Sequence, residues 1–213
     1  MIFTCQAILF DLDGVLVDST RAVERVWRKW AAQHKLKPKL VLEHAHGRRT
    51  IETVRIVAPQ LDADEETLKV EHMEIADKDG IVAIPGAAKL LRSLPHDRFL
   101  IVTSATRALA SARLGYAGLP VPERLVTADD VVEGKPSPEP YLKGAAALGI
   151  APADCLVFED TPAGIESARA GGMRVIALTS TYSADELKAA DAVLDSLMHI
   201  QAKLQKDGLR LEL

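Results

Sequence analysis

Short runs that are apolar at every position alternate along this chain with segments whose apolar residues recur at helical spacing. Ala7-Ile8-Leu9-Phe10 is such a run, and an unbroken apolar stretch of this length predicts a strand covered on both faces. Arg98–Thr103, Leu125–Val126, Cys155–Phe158, Arg174–Leu178 and a short Ala192–Leu194 predict further strands. Helices are expected between them: Ala87 to Leu94, from Ser104-Ala105-Thr106 to about Leu114, after Ser137-Pro138, and from Thr161-Pro162 to about Ala170. In the last two a serine or threonine caps the helix and proline takes its first position, where its missing N–H costs nothing. Strands and helices alternating at this spacing predict an α/β fold, a Rossmann-like parallel sheet with helices on both faces. A turn at Lys206-Asp207-Gly208-Leu209 suggests a small hairpin near the end.

The stretch after the first strand has a different character. From Thr20 to about Lys35, Val23, Val26, Trp27, Trp30 and Ala31 recur at helical spacing, with charged residues between them. From Leu40 to Lys78 the period is helical again, broken at His46-Gly47 and Pro59, and no strand is expected between residues 16 and 80. The pattern therefore predicts an all-helical cap, residues 15–83, inserted into a core made of 1–14 and 84–213. Its hinges fall near Val15–Asp18 and Asp79–Ile84. The two tryptophans are expected in its core.

Composition narrows the function classes. Hydrophobic residues make up 48% and charged residues 26% of the 213, with a net charge of −4, so a soluble globular protein is expected. Without a basic block, neither nucleic acid nor an anionic membrane is the expected partner. No run approaches the length of a membrane span and no signal peptide is visible, and Cys5 and Cys155 lie in apolar runs as buried thiols; a cytoplasmic location fits best. No metal-ligand spacing links His34, His44, His72, His96 and His199. Nothing fixes the oligomeric state, and a monomer is the default.

The candidate chemistry lies where the predicted strands end. Ala7–Phe10 runs into Asp11-Leu12-Asp13-Gly14; alternate residues of an extended chain face one way, so the two carboxylates share a side. Ligands of open α/β sheets bind beyond the carboxyl ends of the strands. Ser104 follows the second strand, Lys135 lies in a loop, and Glu159-Asp160 end the fourth. Singly, these are ordinary capping acids, a helix cap and a surface lysine. Together they suit one task. A carboxylate can take a phosphoryl group, a second carboxyl can exchange the proton, further carboxylates can hold Mg²⁺, and a lysine and a helix-start serine can receive phosphate oxygens.

The segments DLDGVLVDS (11–19), VTSAT (102–106), GKPSPEPY (134–141) and FEDTPAGIESA (158–168) resemble the four motifs of the haloacid dehalogenase-like superfamily. Within it they are most similar to the sugar-phosphate and polyol-phosphate phosphatases, the glycerol-phosphate and deoxyglucose-phosphate branch, as is HGRRTIETVRIVAP (46–59). The resemblance implies Asp11 as nucleophile and metal ligand, and Asp13 as acid/base with its carbonyl on the metal. It also implies Ser104, Ala105 and Lys135 as phosphate ligands, and Asp160 and Glu159 as Mg²⁺ ligands. The substrate would be a small phosphorylated metabolite. Val15 stands where these phosphatases usually carry threonine, which keeps a phosphoglucomutase-type mutase as an alternative, beside a non-catalytic sugar-phosphate-binding protein. In the cap, Gly47 and Arg48 are the residues expected to reach the substrate, since Gly47 permits a sharp turn and an arginine can grip phosphate or sugar hydroxyls.

Overall fold

β1 (Ile2–Cys5) and β2 (Ala7–Phe10) follow one another with a single residue between them, yet they join different sheets. The structure, a computed structural model, describes residues 1–213. After β2 come β3 (Val17–Asp18), α1 (Thr20–Gln33), α2 (Pro38–Ala45), α3 (Thr50–Val57), α4 (Ala63–Ala76) and β4 (Val82–Ala83). The chain continues through α5 (Ala87–Ser93), β5 (Phe99–Val102), α6 (Arg107–Tyr116), β6 (Leu125–Val126), α7 (Glu139–Leu148), β7 (Cys155–Glu159) and α8 (Pro162–Ala170). β8 (Arg174–Leu178), β9 (Ala192–Leu194), β10 (Gln201–Gln205) and β11 (Gly208–Glu212) complete it.

The main sheet has six parallel strands in the order β6-β5-β2-β7-β8-β9, so β2 lies between β5 and β7. All four residues of β2 are buried. Ile8 and Phe10 enter one apolar cluster with α5 and α6, while Ala7 and Leu9 enter another with α7 and α8. Phe10 also stacks on Phe158 of β7 at 5.2 Å between ring centroids. Apolar residues on both faces hold the end of β2, and hence Asp11, at the middle of the sheet's edge.

Helices α1–α4 pack on each other around a separate cluster that includes Val23, Val26, Trp27, Trp30, Val54 and Val70. Trp27 and Trp30 meet edge to face at 5.3 Å. Trp30 also donates its indole N–H to buried Glu66 of α4 at 2.8 Å. The expectation of no strand between 16 and 80 is corrected by β3, which pairs antiparallel with β4 through Val17↔Ala83 and Asp18↔Val82. This two-residue ladder holds the outgoing and returning connections of the helical insert side by side.

Helix α6 begins directly after Thr106 as expected, and Thr106 is its cap, its side chain accepting from the Leu109 amide. One boundary shifts. Helix α7 begins at Glu139, later than the expected Ser137 cap; Ser137 Oγ accepts from the Glu139 amide at 3.3 Å. Thr161 and Pro162 begin α8 as expected. The hairpin near Lys206-Asp207 joins β10 to β11, and β11 pairs with β1 in a three-stranded antiparallel sheet. Both cysteines are free and buried.

Candidate active site

Three parallel strands deliver the candidate groups to one edge. β2 leads directly into Asp11, β5 leads into Thr103 and Ser104, and β7 ends at Glu159 beside Asp160. Lys135 reaches the same spot from the loop before α7 and is 1% exposed, which a surface lysine would not be. Its ammonium donates to Asp11 Oδ1 and to Glu159 Oε1, each at 2.6 Å. Burial works against that charge, but the two carboxylates outweigh it and raise the lysine's pKa.

Glu159 is satisfied entirely by the protein. Oε1 also accepts from the Tyr141 hydroxyl at 2.9 Å, and Oε2 accepts from the Asp160 amide and from the amide and hydroxyl of Thr161. Burial opposes its ionisation, yet Lys135 and those amides bring its pKa below the ordinary value. Asp11 is different: burial raises it to about 7 against the pull of Lys135. Asp160 is pushed well above the usual range by burial, Glu159 and Asp11. Three carboxylates here share one cation.

Whether a further cation fits can be judged from the donors. Ligand oxygens of Asp11, Glu159 and Asp160 lie within 4.8 Å of one another, and all three residues are buried. Asp160 Oδ1 is buried with no hydrogen-bond partner, an arrangement that costs stability unless something meets it. An all-oxygen set of carboxylates suits a hard divalent ion. The residues fit such an ion.

Asp13 has partners of its own. Oδ1 accepts from the Ser19 hydroxyl at 2.6 Å, and Oδ2 accepts from Arg113 at 2.6 Å. Gly14 makes this turn possible: its φ is +77°, and a Cβ there would collide with the Asp160 carboxylate. The Ser180 hydroxyl donates to the Gly14 carbonyl and secures the turn from the loop after β8.

Asp11, Asp13, Ser104, Ala105, Asp160, Gly47 and Arg48 line a cavity between the sheet edge and the helical insert. Lys135 and Glu159 stand behind its wall. Ser104 donates to the Gly47 carbonyl at 3.0 Å, so the insert is seated on the core at this point. Gly47, with φ +77°, also passes too close to Thr161 for a side chain, since a Cβ would lie 2.6 Å from Thr161 Oγ1. Arg48 reaches the cavity, whereas Arg49 docks the insert. Arg49 donates to the carbonyls of Val131 and Val132 at 3.0 and 2.8 Å and to Glu52, and Glu52 accepts from the Gly134 amide at 3.0 Å. This clamp grips the loop that carries Lys135.

Sequence reasoning missed Arg113, Glu74, Tyr141 and Thr181, the last of which lines the cavity and bonds the Asp160 carboxyl. Arg113 lies on the buried face of α6 with Leu109, Ala110 and Leu114, and a charged residue in phase with an apolar face was the signal available. The buried residues of α4 are Glu66, Val70 and Glu74, so Glu74 stood out from no apolar face. Tyr141 and Thr181 gave no signal.

Comparison with known proteins agrees with this geometry. The family model described as a hydrolase, haloacid dehalogenase-like hydrolase, matches residues 5–172. The chain is 45% identical over 209 residues to hexitol phosphatase A of Escherichia coli, covering 96% of this chain and 97% of that protein. It is 37% identical over 198 residues to glycerol-1-phosphate phosphohydrolase 1 of Saccharomyces cerevisiae, covering 85% and 78% of the two. A hydrolase crystal structure from Pseudomonas syringae superposes with a TM-score of 0.80 at 25% identity, over 91% of this chain and 94% of that one.

Proposed function

The chain belongs to the haloacid dehalogenase-like hydrolases and is a phosphoric monoester hydrolase; we propose that it hydrolyses a small sugar or polyol phosphate with Mg²⁺, through an aspartyl-phosphate on Asp11. One observation carries the assignment of the nucleophile. Asp11 lies at the cavity wall with one oxygen held at 2.6 Å by a buried lysine, which leaves its other oxygen to attack. Mg²⁺ would be held by Asp11, Asp160 and the Asp13 carbonyl, with Glu159, whose two oxygens already accept protein hydrogen bonds, acting through water; when bound it supplies positive charge against the phosphate and keeps the carboxylates ionised.

In this reading the free Asp11 oxygen forms a bond to phosphorus as the bond to the substrate oxygen breaks. Asp13, carrying a proton, gives it to the leaving alkoxide. Asp13 as carboxylate then takes a proton from water, whose oxygen bonds to phosphorus and releases Asp11 and inorganic phosphate. Lys135 holds Asp11 in place and offsets the phosphate's charge. Ser104 and Ala105 open the loop that receives phosphate oxygens. Residues 15–83 act as the lid that excludes water, with Arg48 and Gly47 at its substrate face.

The mutase alternative loses its main support. Val15 is fully buried in the main apolar cluster, so an aliphatic residue there answers to packing. The relatives above are named as phosphatases of a hexitol phosphate and of glycerol 1-phosphate, which supports a sugar or polyol phosphate as the substrate of this chain. Two free, buried thiols suit the cytoplasm.

The test is phosphate release with Mg²⁺ from hexitol phosphates, glycerol 1-phosphate, hexose and pentose phosphates and phosphoglycolate. Release from a sugar or polyol phosphate is expected. An isomerised product without release would identify a mutase, and binding without either product a sensor.

A further inference from the structure

The wall of the cavity beside Asp13 carries charge. Arg113 rises from α6 with its side chain only 7% exposed, and its guanidinium bridges two acids. It donates to Asp13 Oδ2 at 2.6 Å and to Glu74 Oε1 at 3.1 Å. Glu74 belongs to α4 of the insert, is 5% exposed, and has Arg113 as its hydrogen-bond partner through one oxygen. Both residues line the cavity.

The other Glu74 oxygen accepts from no protein group and opens on the cavity, where it is left to water or to a ligand. The arrangement makes physical sense if a ligand brings hydroxyl donors to that oxygen. The pairing points the same way. Arg113 is taken up by Asp13 and Glu74, so it is not a free cation for a second anionic group placed here. Arg48, the other arginine on the cavity, also borders an outer cleft with Arg55 and Glu133.

We infer that Glu74, oriented by Arg113, is a specificity-determining residue for the organic part of the substrate. Its free oxygen accepts hydrogen bonds from the hydroxyls of an uncharged polyol or sugar chain, and by occupying Arg113 it denies that guanidinium to a second phosphate or a carboxylate. This rests on the phosphatase reading above. It also separates the protein from enzymes that must seat a sugar bisphosphate in the same cavity.

The experiment measures kcat/KM with Mg²⁺ for glucose 6-phosphate and glucose 1,6-bisphosphate, with p-nitrophenyl phosphate as a substrate lacking hydroxyls. Wild type should favour glucose 6-phosphate over the bisphosphate. Glu74→Gln keeps the shape and leaves Arg113 paired with Asp13, and it should lower that ratio at least tenfold, mainly through KM. Glu74→Asp retains the charge and should hold the ratio within about threefold of wild type. The readout is a ratio within one preparation, so a loss of folded protein cancels. A ratio that Glu74→Gln leaves unchanged overturns the inference, and so does a wild type that prefers the bisphosphate, whatever the variants do. A wild type inert on every ester, p-nitrophenyl phosphate included, would overturn the phosphatase reading as well; activity with an unmoved ratio overturns this assignment alone.

Discussion

At the residue, the site is a problem of charge. Asp11→Asn keeps the shape of the side chain and removes the nucleophilic oxygen, so turnover should disappear while the melting temperature holds. Phosphate release beside a thermal melt decides it, and activity near wild type would exclude Asp11. Lys135→Met should behave differently, because it leaves Asp11 and Glu159 buried without the cation that bonds both at 2.6 Å. Breaking a buried pair from one side costs about 3–5 kcal/mol. Urea unfolding in a chelator should show a loss of that order, smaller when Mg²⁺ is present; an equal loss in both would mean no cation compensates. Asp11, Asp13, Lys135, Glu159 and Asp160 were legible from sequence because each sits at or just beyond a predicted strand end or in one loop, and parallel strands bring such ends together. Arg113 was not, since a misfit within an apolar helix face says that a partner exists without saying which one, and Glu74 was not, since α4 also buries Glu66 and no misfit shows.

Among the elements, the docking of the insert follows from α3. Arg49 and Glu52 hold the backbone from Val131 to Gly134, next to Lys135. Arg49→Ala removes the donors to Val131 and Val132 and frees Glu52. Hydrogen exchange at the Gly134 amide should quicken about tenfold or more, as the loss of one charged hydrogen bond of about 1.5 kcal/mol implies, while amides of β2 stay protected. Unchanged exchange at Gly134 would mean that the loop is held from the core side alone. The helices and the six parallel strands were visible in the sequence because period and burial agree along each of them. β3 and β4 were invisible for the opposite reason: two residues carry no period, and only their pairing across the insert makes them strands. β1 alternates exposed and buried residues, a pattern overshadowed by the unbroken apolar run directly after it.

For the whole molecule, the same carboxylates tie stability to pH and metal. Burial raises Asp11 to about 7 and Asp160 well above its usual value, while in an unfolded chain both titrate near 4. Between about pH 4 and 7 the folded state therefore holds protons that the unfolded state has released, and stability from these groups falls as pH rises. A divalent cation replaces those protons. Mg²⁺ should accordingly raise the melting temperature more at pH 8 than at pH 5, measured against a chelator at each pH; equal rises would disprove the linkage. The three-stranded sheet at the molecule's far side carries a consequence of a mechanical kind. β1 and β11 run antiparallel with Ile2 opposite Glu212, so a load applied across those two positions pulls on one ladder bond at a time, as a zipper opens. In an optical trap the sheet β1-β11-β10 should peel away at low force before the parallel core yields. A single high-force rupture would instead mean that the core and this sheet resist as one body.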